Sequence, residues 1–375
     1  MDLTFNAEQL QFADSIQRWA ARDYDFAARQ AIIASPAGVS PAAWTALAEL
    51  GTLALPVPGV QGGFDGTARD LHVVMRELGR ALVVEPYLAT VMGAECLKLG
   101  ARHDSHAALL ERLGTGGLKL ACAWGEAQSR YDMRAIATAA RPDGAGYVLD
   151  GAKTAVIHGR EADALIVSAL GPGGIGLFVV PASTPGVNVT AYRTLDGLRA
   201  ADIRFTQVAL GADALLDGGW DTLDGVLDYG AALLCAEAVG AMEALFAATL
   251  DYLKTRQQFG APLGKFQALQ HRMADMYIHL EQARSMALLA AVKYAEGDAA
   301  ERRRVVSAAK YRVGAAARFI GQQAVQLHGG MGVTNELPAA HYFKRLTMID
   351  LSLGNSDHHL QRFIAQPGFR EGSMA

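Results

Sequence analysis

Cysteine is scarce in this chain, with 3 among 375 residues. Cys96, Cys122 and Cys235 stand far apart, without a C-x-x-C pair or a Cys/His spacing suited to zinc. A disulfide framework and a structural metal are therefore excluded as organising devices. Thiols left so widely spaced suit a reducing cytoplasm. Concentrated positive charge is missing too. The balance of 34 Lys and Arg against 38 Asp and Glu gives a formal net charge of −4, the wrong sign for a surface built to hold nucleic acid. Met1-Asp-Leu-Thr-Phe-Asn-Ala-Glu-Gln-Leu10 lacks a basic leader followed by an apolar run. No stretch reaches the ~18 uninterrupted apolar residues of a membrane span. The expectation is a cytoplasmic protein with neither membrane insertion nor a nucleic acid partner.

What the chain does have is apolar material, 51% of its residues, enough for two or three units around a sizeable core. From Ala7 to about Leu118 apolar residues recur at three- and four-residue intervals, as in Leu10, Phe12, Ile16 and Trp19 or Leu71, Val74, Met75 and Leu78. Asn6, three residues before Gln9, and Ser40 before Pro41 are placed as helix N-caps. Near Lys119 the pattern changes to short β-prone runs, among them Tyr147-Val-Leu, Ala164-Leu-Ile-Val, Gly176 to Val180 and Val187-Asn-Val-Thr190. Glycine-rich turns at Asp143-Gly-Ala-Gly146 and Gly171-Pro-Gly-Gly174 separate them. From Asp221 helical periodicity returns, in segments such as Ala231 to Lys254, Phe266 to Glu296 and Ala299 to Leu327. The predicted fold is a multidomain α+β chain: helical domain 1–118, β-barrel or sandwich 119–220, and C-terminal helical bundle 221–375.

Two segments carry the chemistry. In Lys254-Thr-Arg-Gln-Gln-Phe-Gly-Ala-Pro-Leu-Gly-Lys-Phe-Gln267, Arg256 falls at the end of a long helix, where its guanidinium can grip a phosphate with two hydrogen bonds. In Gln326-Leu-His-Gly-Gly-Met-Gly332 the glycines allow close approach of backbone to a ligand. Taken alone, an arginine at a helix end is usually a surface residue, a Phe there is usually a core plug, and a glycine turn usually just joins two helices. The combination resembles the paired R-x-x-F-G and Q-x-x-G-G-x-G signatures of the acyl-CoA dehydrogenase family, and the helix, β, helix order agrees over essentially the whole chain. The resemblance implies an FAD-dependent oxidation of an acyl-CoA to the enoyl-CoA, with electron-transfer flavoprotein as acceptor. It also implies that Arg256, Phe259, Gln267, Gln326, Gly329 and Gly330 touch an FAD held mainly by a neighbouring subunit. No metal is implied.

Other family positions are altered. The loop corresponding to T-E-P-x-x-G-S-D keeps Glu126 and Asp132, but Gly125 stands for its Thr and Tyr131 for its Ser. The W-I-T motif that faces the flavin falls on Ala155-Val-Ile157. The catalytic glutamate of Y-E-G-T falls on Leu353 or Gly354 by two ways of counting, so neither register supplies a base. An alternative site for it in some relatives falls beside Gly230, with Asp228 and Glu237 the nearest carboxylates. Asp357, His358 and His359 are substitute bases by location only, and a polar helix start capped by Asn355 or Ser356 explains them as well.

Groups reaching toward a neighbour's flavin are thus kept, and groups for the chain's own flavin are lost. Within the family the sequence is closest in appearance to the small, partner-requiring subunit type of bacterial pimeloyl-CoA dehydrogenases. The matching runs are Val84-Glu-Pro-Tyr-Leu-Ala-Thr90, Gln128-Ser-Arg-Tyr-Asp132, Leu234-Cys-Ala-Glu-Ala-Val-Gly-Ala-Met-Glu243, His341-Tyr-Phe-Lys-Arg-Leu-Thr-Met-Ile-Asp350 and Asp357-His-His-Leu360. That likeness implies a larger acyl-CoA dehydrogenase partner in a heterotetramer, and a dicarboxylyl-CoA or another bulky acyl-CoA as substrate. A self-sufficient homotetramer, a subunit without redox chemistry that binds CoA or nothing, and a flavin oxidase are the competing readings.

Overall fold

Asn6 opens the first helix as the sequence suggests. Its side chain accepts from the Gln9 backbone N–H, and the Gln9 side chain accepts from the Asn6 N–H, so two otherwise orphaned donors are satisfied reciprocally. Ser40 caps a later helix ahead of Pro41, its hydroxyl accepting from the Ala43 N–H. The computed structural model describes residues 4–296 and 298–366. Residues 1–3 of the N-terminal stretch, Gly297, and residues 367–375 at the end of the expected C-terminal domain lie outside the described residues.

Helices α1 (Ala7–Asp23), α2 (Phe26–Ala34), α3 (Pro41–Glu49), α4 (Ala68–Arg80), α5 (Tyr87–Gly100) and α6 (Asp104–Gly114) come first. Strands β1 (Leu120–Ala123), β2 (Ala139–Asp143), β3 (Gly146–Ile157), β4 (Ala164–Gly171), β5 (Gly174–Pro181), β6 (Val187–Arg193), β7 (Arg199–Leu210) and β8 (Leu215–Leu216) follow. The remainder is α7 (Gly219–Thr255), a hairpin of β9 (Gln257–Gln258) and β10 (Ala261–Pro262), α8 (Gln267–Glu296), α9 (Ala299–His328), α10 (Pro338–Leu351) and α11 (Ser356–Ile364). The order helical, β, helical is the expected one. By contacts the chain forms two compact units: Met1–Arg29, Ala68–Val83 and Ala231–Ala375 in one, Gln30–Thr67 and Val84–Gly230 in the other.

In the second unit the strands run β6-β7-β3-β2-β4-β5-β8, with β1 parallel beside β4. The two glycine turns are where the sequence puts them, joining β2 to β3 and β4 to β5. Leu149, Val167, Phe178, Ile203 and Phe205 build the core on the inner face. Strand β7 was not among the expected runs, although its buried Ile203, Phe205 and Val208 alternate with polar neighbours over most of its length. Charge in Arg204 and Asp202 masked that period.

In the first unit α1 lies against α4. The expected apolar stripe on α1 holds for Ile16 and Trp19, but Leu10 is 57% exposed. Gln9 takes the inward position, held by its cap and by donating to Asp70. Helices α4 and α7 cross closely enough that a Cβ on Gly240 would lie 1.7 Å from the Arg76 carbonyl oxygen, and one on Gly79 would lie 2.1 Å from that of Glu237. Only glycine fits at such a crossing. Beside it Glu243 is buried and takes ion pairs from Arg76, Arg80 and Arg284. Helix α7 is apolar and long enough to cross a membrane, yet 78% of its most apolar window is buried in protein.

The β unit also buries an ion pair. Lys153 is fully buried and donates to Glu126 at 2.7 Å, to Ser168 Oγ at 3.0 Å and to the Trp124 carbonyl at 3.3 Å. Burial by itself would raise the Glu126 pKa. Hydrogen bonds from Lys153, Ala137, Gln128 and Thr138 together outweigh it and bring the value down to about 2, against an ordinary 4.5. A carboxylate depressed in the native state stabilises fully above its unfolded pKa, and loses that contribution as pH falls toward the native one. Glu126→Gln should therefore cost about 3–5 kcal/mol at pH 7, because Lys153 is left buried without a counter-charge. The gap in unfolding midpoint between wild type and variant should narrow as pH falls from about 4.5 toward about 2. A gap that persists unchanged down to the lower pH would show that packing, not charge, sets the difference.

Candidate functional site

Arg256 follows directly on α7, with its backbone N–H bonded to the Tyr252 carbonyl at 2.8 Å. The chain then turns through the β9–β10 hairpin, whose tip residues Phe259 and Gly260 both take positive φ, 53° and 76°. That is the conformation two-residue hairpins prefer. Gly260 takes it freely, whereas Phe259 does not, and Phe259 is held there 89% exposed, with the edge of Phe266 at 6.1 Å from its ring. A large aromatic presented to solvent in a strained conformation has no role in this chain's own core.

The glycine motif lies beside this hairpin. Tyr252, one turn before Arg256, stacks on His328 with ring centroids 4.5 Å apart and donates to the His328 carbonyl at 3.4 Å. His328 is the last residue of α9, and Gly329 ends that helix at φ 60°. A Cβ on Gly329 or Gly330 would meet nothing within 4 Å, whereas one on Gly332 would strike the Val325 carbonyl oxygen at 2.4 Å. Gly332 is thus glycine for packing and Gly329 for its backbone angle, while Gly329 and Gly330 both keep an open surface. Gln326 on α9 and Gln267 at the start of α8 are exposed, and among the described residues the Arg256 guanidinium has no partner. All six expected contact residues lie in one unit. A free guanidinium, an exposed ring and unobstructed glycine backbone suit the diphosphate and aromatic parts of a dinucleotide.

The ring-side positions look different. Ile157, at the end of β3, packs with Ile33, Val84 and Leu198. It is half-buried against that cluster and has no side-chain donor. A bulge shifts the β3–β7 register between Lys153 and Val156, and Ala155 there has φ 52°. The loop from Gly125 to Thr138 is fixed from within by Glu126. Ser129 Oγ accepts from the Glu126 N–H and donates to its carbonyl, and Asp132 accepts from the Arg134 N–H. Two residues of this loop were not singled out from the sequence: Arg130, with φ 49°, and Arg134, which lies over the Trp220 ring at 4.2 Å. The signal was present, since the family glycine of that loop falls on Arg130.

Between α10 and α11 the chain makes a tight turn in which Leu353 and Gly354 have φ 54° and 102°. Asn355 is the cap of α11, its side chain accepting from the His358 N–H. A Cβ on Gly354 would lie 2.5 Å from His358 Cδ2. Buried Lys310, which the sequence did not flag, donates to the carbonyls of Ile349, Asp350 and Gly354 at 2.8, 3.0 and 2.9 Å. Burial pulls its pKa down to about 8, against the opposing pull of Cys235 and Asp350.

His359 is buried, bonded through Nε2 to the Leu353 carbonyl at 2.9 Å, and burial followed by Lys310 holds its pKa well below the ordinary histidine value. It is a neutral clamp on the turn. Asp357 is exposed in the first turn of α11, and His358 is half-buried with its ring edge toward His359 at 5.2 Å. Glu237 is tied bidentately to Arg345 at 2.6 and 2.8 Å, so its charge is already committed.

Three protein-family models match almost end to end: the acyl-CoA dehydrogenase N-terminal domain over residues 6–124, its middle domain over 121–208 and its C-terminal domain over 217–366. The acyl-CoA dehydrogenase IpdE2 of Mycobacterium tuberculosis is 31% identical over 90% of this chain and 90% of its own. Among solved structures, a variant of the steroid acyl-CoA dehydrogenase Tcur3481-Tcur3483 is 29% identical with a TM-score of 0.90, covering 98% of this chain and 99% of the other. The ChsE4-ChsE5 complex of M. tuberculosis is 25% identical with a TM-score of 0.91 over the whole of both chains. With all three domains matched in order, the chain belongs to the acyl-CoA dehydrogenase family, FAD-dependent oxidoreductases acting on acyl-CoA thioesters.

Proposed function

We infer that this chain is the subunit of a hetero-oligomeric acyl-CoA dehydrogenase that lacks the catalytic glutamate and completes the flavin site of a larger partner subunit. One observation carries this reading. The surface of Arg256, Phe259, Gln267, Gln326, Gly329 and Gly330 is open and unused by the chain's own core, whereas the α10–α11 turn carries Leu353 and the end of β3 carries Ile157. Gly354 and the Asn355 cap favour the register that puts Leu353 in the glutamate position.

FAD, when bound, supplies the acceptor for the hydride leaving Cβ of the acyl chain. The chain's own residues would hold one end of it: Arg256 would neutralise phosphate charge, Phe259 would offer an aromatic face, and the open Gly329–Gly330 backbone would admit close approach. Removing the α-proton needs a positioned base, typically worth 10²–10⁴ in rate. That base comes from the partner. The similar ChsE4-ChsE5 complex and the two-component Tcur3481-Tcur3483 support the assembly, and the steroid acyl-CoA dehydrogenase among them supports a bulky acyl-CoA. A dicarboxylyl-CoA of the pimeloyl type is the other substrate in view, with electron-transfer flavoprotein as acceptor and the cytoplasm as compartment. The alternative is a subunit without redox chemistry that binds CoA or serves only structure.

Expressed alone, the chain should carry little flavin by visible absorbance. Assembled with a larger homologue that retains the glutamate, the complex should carry flavin, and Arg256→Ala should lower that content by roughly tenfold or more, since hydrogen bonds to a charged group contribute about 1.5–3 kcal/mol. One flavin per chain in the isolated protein would instead point to a self-sufficient enzyme, and a flavin-free complex to the non-redox alternative. His358→Ala should leave turnover of the complex within about twofold, as expected of a half-buried helix-start residue with no part in proton transfer. A loss of two orders of magnitude would make His358 the base.

A further inference from the structure

A cavity of about 580 Å³ opens among the C-terminal turns of α1, the start of α2, the end of α4 and the start of α10. Its size is that of a small-molecule site. Every residue on its wall belongs to one compact unit, and none belongs to the flavin-contact surface. Glu77 forms part of the wall and is 2% exposed. Its Oε2 accepts from the Gln17 amide at 2.9 Å and from Arg80 Nε at 3.0 Å. Its Oε1 is buried as well, and among the described residues it has no hydrogen-bond partner. Buried polar atoms are rarely left in that state, because the missing bond costs stability. Arg80 gives Glu77 only part of a countercharge, since the same guanidinium pairs with the buried Glu243. The other arginine on the wall, Arg29, is buried and donates to the Leu82 carbonyl at 2.7 Å and to His341 Nδ1 at 3.3 Å. Glu77 therefore lacks a donor, and a charged donor would serve it best. Tyr24, Phe26 and Tyr342 bring aromatic rings to the same wall, and Ala20 and Ala21 leave room on the α1 side. A carboxylate among aromatic rings suits an organic cation.

We propose that this cavity binds a small organic amine as its ammonium ion, which donates an N–H to Glu77 Oε1 and lays its apolar body against Ala20, Ala21 and the rings. Gln17, exposed and bonded to the same carboxylate, turns aside to admit it. An alcohol of the same shape offers one neutral donor where an ammonium offers three charged ones, and a carboxylic acid of that shape is repelled by Glu77. The site uses none of the flavin-contact residues, so it stands or falls apart from the subunit reading.

The test is calorimetric titration of the full-length chain at neutral pH and matched ionic strength, with benzylamine, benzyl alcohol and benzoate as probes of one shape. Benzylamine should bind with a Kd on the order of 1 mM or tighter, as a ligand of about eight heavy atoms can. It should bind roughly tenfold or more tightly than either isostere, and Glu77→Gln should remove that advantage. Because Glu77→Gln also disturbs Arg80, a second variant separates binding from folding. Ala21→Trp fills the cavity from an exposed position on α1, so it should keep the melting temperature while weakening benzylamine by a similar factor. Benzylamine and benzyl alcohol binding alike would overturn the ammonium assignment, and tighter binding of benzoate would give the cavity to its arginines instead. Binding of none of the probes, or benzylamine binding untouched by Ala21→Trp, would overturn the site itself.

Discussion

A charge placed inside a β layer must be neutralised there, and in this protein that requirement organises the loop that follows β1. Lys153 enters the interior from β3 with no exposed surface, and Glu126 meets it from the loop after β1. Once Glu126 is committed to Lys153, its remaining lone pairs collect the N–H groups of Ala137 and Thr138 and the amide of Gln128. Every bond from that carboxylate closes the loop more tightly. Arg130 and Arg134 stand on the loop that this pair fixes. Buried pairs often contribute little net stability against an apolar substitute. Here the return is order in a segment with no regular secondary structure.

The helical unit solves a different problem, the ends of long helices. Helices α7 and α9 finish side by side, and their terminal groups are joined by the Tyr252–His328 stack. Two segments more than 70 residues apart in sequence become one surface carrying a guanidinium, an aromatic ring and bare backbone. At α10 the last carbonyls are met by the buried amine of Lys310, and His359 fastens the following turn. That turn is held by two buried side chains, yet the residue it presents is Leu353. A scaffold retained around a missing base is what a subunit would look like when its partner performs the proton transfer.

Much of the fold was legible in the sequence because its signals are local. The capping box at Asn6, the Ser40-Pro41 helix start and the glycine turns of the β2–β3 and β4–β5 hairpins depend on residues within a few positions of one another. Strand β7 and the inward face of α1 were not, because Gln9 and the charged residues of β7 are accommodated by partners distant in sequence. In the site, the spacing of Arg256, Phe259 and the glycine motif could be read directly.

Sequence by itself determined the family, the order of the three domains and the absence of a glutamate at the expected turn, since each is a matter of which residue types occur at which spacing. Tertiary structure alone decided which charges are free. Glu237 and Arg256 look equally available as letters, but burial ties the first to Arg345 and exposure leaves the second without a partner among the described residues. It also decided that Gly329 and Gly330 face open space while Gly332 does not, and that Arg130 is held in a glycine-like conformation. The physical reason is that solvation, ion pairing and steric room depend on what the folded chain places nearby, and residues far apart in sequence supply most of it.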